Sequence, residues 1–464
     1  VEAARDAGVS LAFLSGNAMY WKTRWEASID GSETDYRTMV TYKETRAGGK
    51  IDPSDEWTGT WRDLSYDPAL GGQTPENALP GTQFTVDSYR LDTIEIPYEM
   101  TQLRFWRNTS VAETQAGQTA TLVQNLLGYE WDSAPDNSFT PDGLIRLSQT
   151  SIAVDTLLYD YGTTVGPGIA THNLTMYRTE SGAIVFGAGT VYWSWGLDSN
   201  HDLESTPTDA NVQQAMVNLF ADMGVQPQTL QADLLPATAS IDFTAPTSTM
   251  NAVGGTVLEG DRVTLTGHMA DVGGRVAAVE VSTDGGTSWW AASFDGTAGT
   301  WSYTWTAPSA GTYELLARSV DDSLNMGYAS AARTVTVGEA SQVRLFATDE
   351  TPPPLPENWD PSQVAVCCNI CVVHVFGPAE VGVKFTSERS GTISSIMFYK
   401  DSRNTGEHVA HLWAADGTLL ATATFMAETE SGWQQVTFAQ PVTIAANMVY
   451  IASYSTTSGI YLAS

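Results

Sequence analysis

Between Asp209 and Gly224, apolar residues recur at Val212, Ala215, Met216, Leu219, Phe220 and Met223. This i, i+3, i+4 spacing predicts an amphipathic helix closed by Gly224. Leu11-Ala-Phe-Leu14 predicts a short buried strand just after Gly8, and Gly182-Ala-Ile-Val-Phe186 a strongly apolar one. Thr119 to Leu126 fits either a strand or a short helix. Strand and helix alternate over residues 1–236, which predicts an α/β domain. Its stretch at about 27–118, crowded with Gly, Pro, Trp and Tyr, reads as a loop-rich excursion over one sheet edge.

The pattern then changes. Residues 237–250 are a Thr/Ser/Pro linker. From 251 to 338, Ala277-Ala-Val-Glu-Val-Ser282 and Thr300-Trp-Ser-Tyr-Thr-Trp305 alternate apolar with polar, and Asp284-Gly285-Gly286 reads as a tight turn between strands. Short strands at this spacing predict an immunoglobulin-like sandwich. A proline-rich linker follows, 339–356, stiff and extended. Residues 357–464 are again all-β, with strands predicted at Val381–Phe385, Ile393–Tyr399, His411–Trp413, Leu419–Phe425, Trp433–Phe438 and Val449–Tyr454. The opening Val1–Gly8 reads as the last turns of a helix ending on a C-cap glycine. The expectation is a piece of a longer polypeptide, with its export signal upstream and its last sandwich completed by a strand from elsewhere.

Charge narrows the function. Among 464 residues, 22 are Lys or Arg and 53 are Asp or Glu, a formal net charge of −31. Lysines are few: Lys22, Lys43, Lys50, Lys384 and Lys400. This balance repels phosphate backbones and excludes a basic nucleic-acid footprint. It also argues against docking on anionic lipid. Charged residues are 16% of the chain, so the polar surface is largely Thr, Ser, Gly, Asn and Gln, a texture of exported β-rich proteins. No run reaches the roughly 18 apolar residues of a membrane helix.

Several side-chain groups suggest chemistry weakly. Cys367, Cys368 and Cys371 with His374 resemble half a zinc site, which usually needs two separated knuckles. A local Cys368–Cys371 disulfide or free buried thiols are the preferred readings. His408 and His411, three apart in a strand, point to opposite faces. Asp198, His201, Asp202 and Glu204 form an acidic loop that leaves calcium open but lacks the EF-hand spacing. Among 15 tryptophans, Trp57, Trp61, Trp193, Trp195, Trp289, Trp290, Trp413 and Trp433 offer core mass first and glycan stacking second. No Gly-x-Ser-x-Gly elbow occurs, and Ser15 reads as a turn residue.

Six motifs spread over the first region carry a specific resemblance: Ala12–Trp21, Thr58-Gly-Thr-Trp-Arg62, Leu127-Gly-Tyr-Glu-Trp-Asp132, Ala170–Tyr177, Gly182–Asp198 and Ala221–Pro227. Through them residues 1–236 resemble the C-terminal domain of the large (beta) subunit of N,N-dimethylformamidase. The resemblance implies an α/β fold like that of class I glutamine amidotransferases. It also implies hydrolysis of a small formamide at a mononuclear iron held by two tyrosines and a glutamate. Tyr20 resembles one tyrosine ligand and Glu130 the carboxylate; the motif of the other tyrosine is absent from this chain. Ferric iron prefers such hard oxygen donors and would acidify a bound water, which His172 would orient as the catalytic proton carrier. The middle region resembles bacterial Ig-like modules through Val279–Trp289 and Trp301–Trp305. The last resembles domain of unknown function 4082, found in large bacterial surface proteins, through Gly417–Phe425, Ser431–Val436 and Tyr450–Tyr454.

Taken together, the sequence predicts a multidomain chain: an α/β glutamine-amidotransferase-like domain followed by two all-β sandwiches. The leading expectation is a segment of a large exported bacterial surface protein, extracellular or at the cell surface, structural or adhesive. Its expected partners are other copies or domains of the same protein and a glycan or cell-surface ligand, with no nucleic acid and no membrane insertion. The alternative is an iron-dependent amide hydrolase with accessory β-sandwich modules.

Overall fold

A computed structural model describes residues 1–66, 73–203, 205–339, 371–374, 379–387, 390–400, 402, 404–457 and 460–463. Cys367, Cys368, Glu204 and the linker 340–356 lie outside the described residues, as do the side chains of Cys371 and His374. The chain forms two compact units, Val1–Val343 and Arg344–Ser464.

The first unit begins with helix α1 (Glu2–Asp6). Gly8, at φ +88°, closes it: Gly8 N–H donates to the Arg5 carbonyl and Val9 N–H to that of Ala4, the paired bonds of a Schellman cap. Eight strands organise the rest of the first region: β1 (Leu11–Phe13), β2 (Gln83–Asp87), β3 (Glu130–Ser133), β4 (Ile145–Arg146), β5 (Thr150–Leu158), β6 (Val165–His172), β7 (Thr175–Arg178) and β8 (Ile184–Gly187). β1, β8, β7 and β4 form one sheet in that order, and β6, β3, β2 and β5 close into a four-stranded ring. Only β1 and β8 pair in parallel; the other pairs are antiparallel. Thr119–Thr121 is a strand, paired with Glu95–Pro97.

The predicted α/β layering is therefore not what the described residues build. An α/β layer needs parallel strands joined by crossover helices. Here one helix exceeds five residues, α2 (Ala210–Asp222), and no helix lies between the parallel partners in the manner of a repeated βαβ unit. Periodicity found the right helix and the right strands but not their direction of pairing.

The excursion is held by apolar mass and by buried charge: Ile94, Ile96, Phe105 and Trp106 enter the main hydrophobic cluster, while its earlier part closes around charged groups. The Glu44 carboxylate accepts N–H bonds from Ile51, Asp52 and Thr58 at 2.6–2.7 Å, and Arg24 grips Asp52 with two bonds of 2.8 and 3.0 Å.

Strands β9 (Thr247–Met250), β10 (Val257–Leu258), β11 (Arg262–Ala270), β12 (Val276–Ser282), β13 (Trp290–Ala291), β14 (Ser293–Asp295), β15 (Thr300–Thr306), β16 (Gly311–Asp321) and β17 (Arg333–Gly338) make the middle region. They pack as a four-stranded sheet (β9-β11-β15-β14) and a five-stranded one (β10-β17-β16-β12-β13). Trp301, Trp305, Val279, Val281 and Leu315 fill the space between. β9 begins inside the stretch read as linker. Ala277, Val320 and Leu324 of this region belong to the same hydrophobic cluster as Met176, Ile184 and Phe186, so the first two regions share a core.

In the second unit, Ala379–Thr386, Val449–Thr456, His408–Ala414 and Leu419–Thr424 form one sheet in that order, and Gly391–Lys400 pairs with Gly432–Ile444. Phe398 stacks on Tyr454 at 4.1 Å over a core of Ile396, Leu412, Phe425 and Phe438. Val449–Thr456 is flanked on both sides, so it is not an open edge waiting for a strand from elsewhere. No helix among the described residues is long and apolar enough to cross a membrane.

Candidate functional site

The loop after β1 sets the site. Gly16 lies where a Cβ would stand 3.0–3.1 Å from the backbone of Thr190 and Glu130, so glycine lets the loop press closely against β3 where a side chain would crowd the backbone. Asn17 follows at φ +54°. Its backbone N–H donates to Asp132 Oδ1 at 2.8 Å and its Nδ2 to Glu130 Oε2 at 3.2 Å. One residue thus holds two carboxylates of the same strand.

Asp132 is buried, and that burial pushes its carboxyl up to about 7 against the help of Asn17 and Thr82, whose hydroxyl donates at 2.9 Å. His172 is fully buried at the end of β6. Its Nε2 faces the Ala188 carbonyl at 3.0 Å, which assigns the proton to Nε2 and leaves Nδ1 a bare acceptor. Burial lowers this imidazole to about 4. Gly189 separates the two: a Cβ there would be 3.4 Å from both the Asp132 Cβ and His172 Nε2.

Tyr20 is 1% exposed, wedged edge-on between Trp21 and Phe84 with the Arg62 guanidinium 5.1 Å from its ring centre. Its hydroxyl donates to the Tyr161 carbonyl at 3.2 Å. Burial raises this phenol above its ordinary value, with Arg62 pulling the other way. Arg62 lies 3.7 Å from the buried Glu76, whose carboxyl burial also raises. Four buried polar atoms here have no partner: Asn17 Oδ1, Arg62 Nε, Glu76 Oε2 and His172 Nδ1.

Of the residues expected to act, Tyr20, Glu130 and His172 all lie in this part of the fold, but each has its own partner. Tyr20 is bonded to a carbonyl, Glu130 to Asn17 and His172 to Ala188. An iron-binding tyrosine must be phenolate, and a buried phenol that donates its proton to a carbonyl is the opposite case. As placed, Tyr20 and Glu130 do not fit a ferric centre, and no chemical step is assigned to iron. What the cluster offers is a carboxyl that changes protonation near neutrality beside a neutral imidazole.

Asn17, Arg62, Glu76 and Asp132 escaped sequence reasoning. Asp132 stood two residues from Glu130 in the same motif, and only its enclosure by β2 and β6 makes it unusual. The other candidates are structural in their surroundings. His408 is buried between Glu428 and Asn404, while His411 bonds Glu380 on the other face. His201 stacks on Trp195 at 4.3 Å. Trp193 and Trp195 are core; Trp57, Trp61, Trp289, Trp290, Trp413 and Trp433 are half-buried, Trp289 beneath the Arg318 guanidinium at 4.0 Å.

Residues 1–206 match the family of N,N-dimethylformamidase beta subunit-like C-terminal domains. Residues 240–317 match the bacterial Ig domain family, and 372–464 match domain of unknown function 4082. The chain is multidomain and mostly β. No curated protein matches it. Among solved structures, the Clostridium thermocellum CbhA fibronectin(III)-like modules align at 17% identity and TM-score 0.17, over 20% of this chain and 98% of theirs. The titin domains z1z2 in complex with telethonin align at 16% identity and TM-score 0.16, over 48% of this chain and 95% of theirs.

Proposed function

We propose that the chain is a segment of a large exported bacterial surface protein, structural or adhesive, in which the dimethylformamidase-like domain serves as a scaffold. The observation that carries this is the joint between the first two regions. Beyond the shared core, Asp322 accepts the Arg104 N–H at 2.8 Å, Glu280 accepts the Gly143 N–H at 2.7 Å, and Arg318 pairs with Asp142 at 2.8 Å. Such a joint makes two modules one stiff body, as a load-bearing stalk requires. The partners that fit are further copies or domains of the same protein, and a glycan or surface ligand. Protease shaving of intact cells that make the full-length protein tests the location. Release of fragments from this chain is expected; recovery only after lysis ends the proposal.

A second reading, an amide hydrolase, is favoured by the unpartnered atoms around Asp132 and His172. In it Asp132 and His172 handle protons, and Tyr20 serves an iron site only by leaving Tyr161. The scaffold reading expects no stoichiometric iron and no formamide hydrolysis from the purified full-length protein. Iron together with hydrolysis that is lost in Glu130→Gln would install the second reading instead.

A further inference from the structure

We propose that Asp242, Asp271 and Asp321 form a calcium site at the end of the immunoglobulin-like sandwich that meets the first region. Each offers one carboxylate oxygen, and these oxygens lie within 4.8 Å of one another. Two oxygens on opposite sides of one Ca²⁺, at a usual distance of about 2.4 Å each, are separated by about that much. The three residues come from separate segments. Asp242 lies on the approach to β9, Asp271 in the turn between β11 and β12, and Asp321 ends β16.

The unused oxygens point to a ligand. Asp242 Oδ2 and Asp271 Oδ1 are sealed from solvent and accept no hydrogen bond. Their sister oxygens are occupied: Asp242 Oδ1 accepts the Thr244 N–H at 2.9 Å, and Asp271 Oδ2 accepts the Gly274 N–H at 2.8 Å. Asp321, fully buried, accepts bonds from Ser323 and Asn325. A buried, unpaired carboxylate oxygen is costly, and two beside a third carboxylate are more so. Among the described residues, no ion pair engages any of the three carboxylates. The neighbouring pairs, Arg104–Asp222, Arg107–Asp222 and Arg318–Glu280, leave the three aside. Arg178, whose charge reaches Asp321, gives its N–H groups to the Gly182 and Ser323 carbonyls.

The backbone is shaped to this cluster. Gly273 sits at φ +117°, and a Cβ there would be 2.9 Å from the Asp242 carboxyl; one at Gly274 would be 3.0 Å from Asp271 Oδ2. All-oxygen donors select hard cations. Ligands from three independent segments suit the adaptable shell of Ca²⁺ better than the rigid octahedron of Mg²⁺. A bound ion would tie the segment leaving the first region to the sandwich, next to Asp322 and its bond to Arg104. The site stands independently of the surface reading.

The test uses the full chain, stripped with chelator and titrated with CaCl₂ alone by calorimetry, with MgCl₂ in parallel. Thermal melts with and without Ca²⁺ accompany it. Asp242→Asn/Asp271→Asn keeps volume and keeps an oxygen for Thr244 and Gly274, and its circular dichroism checks the fold. The expected result is Ca²⁺ binding with a melting rise of several degrees in the parent, and at least a tenfold loss of affinity without that rise in the double variant. No Ca²⁺ binding at millimolar concentration, affinity unchanged in the double variant, or an equal response to Mg²⁺ each overturns the assignment.

Discussion

Gly162 takes φ +111°, and a Cβ built on it would stand 1.8 Å from the Tyr20 hydroxyl. The loop it belongs to is wound around Asp160, which accepts the N–H groups of Gly162, Thr163 and Thr164 and the hydroxyls of Thr163 and Thr164; against its partial burial these bonds, the Thr163 hydroxyl foremost, lower it to about 2. Gly162→Ala meets backbone strain of about 1–3 kcal/mol before the clash is counted. Adding Tyr20→Phe removes the clashing oxygen, so part of the loss should return. Urea melts measure both; a Gly162→Ala chain as stable as the parent would show that Tyr20 is not seated against this loop. Two of the perturbed groups of the site, His172 and Asp132, have opposite pH signatures. His172, lowered by burial, contributes stability above its unfolded value near 6.5 that is lost as pH falls through about 4. Asp132, raised by burial, contributes stability below its unfolded value near 3.8 that is lost as pH rises through about 7. At about 1.4 kcal/mol per tenfold change in proton affinity, the two amount to roughly 3–5 kcal/mol each. In the parent they offset each other between pH 4 and 7. Asp132→Asn should therefore lose stability on acidification, and His172→Gln should gain it. Melting curves over this range read the slopes, and two variants with parallel slopes would contradict the assignment.

Helix α2 shows what periodicity resolves within an element and what it does not. Asp209 caps its start by accepting the Asn211 N–H at 2.8 Å, and Gly224, at φ +81°, ends it. Val212, Ala215, Met216 and Leu219 face the core as the pattern requires. Phe220, counted on that face, is 38% exposed, while the polar Gln214 and Asn218 are buried. Asn218 Nδ2 donates to the Phe105 and Arg107 carbonyls at 2.9 and 2.6 Å, and Gln214 bonds both the N–H and the carbonyl of Leu235. Hydropathy cannot anticipate this, because the Phe105 and Arg107 carbonyls come from more than 100 residues away and Leu235 from beyond the end of the helix. Asn218→Ala should cost about 1–3 kcal/mol, the penalty of unpaired buried carbonyls. Phe220→Lys should stay within about 0.5 kcal/mol. Equal losses in thermal melts would mean that the helix is rotated from this placement.

At the scale of the molecule, the junction between the first region and the sandwich sets mechanical behaviour. Asp322 spans it, with one oxygen on the Arg275 N–H and the other on the Arg104 N–H. The connecting segment 237–246 is held by it: Arg104 Nη2 donates to the Thr238 carbonyl at 2.6 Å, and Asn325 to that of Asp242. Limited proteolysis should spare this segment in the parent. Cleavage there should appear in Asp322→Ala/Glu280→Ala, mapped by mass spectrometry. Cutting at the same rate in both would make the two regions independent beads. The −31 charge adds pressure in the same direction, because like charges favour expansion wherever no bond opposes it.

Strand alternation, the helix at 210–222 and the glycines at 8 and 224 were legible in the sequence because they depend on neighbours within one or two turns of chain. So were the three family resemblances, whose motifs are contiguous. The direction of strand pairing was not, since β1 and β8 meet across more than 170 residues and nothing local distinguishes a parallel from an antiparallel partner. Tyr20 and Glu130 were visible as donors, yet their commitment to Tyr161 and Asn17 follows from loops folded over them. The unusual acidities of Asp132 and His172 and the meeting of Asp242, Asp271 and Asp321 belong to the tertiary structure for the same reason. Desolvation and carboxylate crowding come into being only when distant segments close around a group and exclude water.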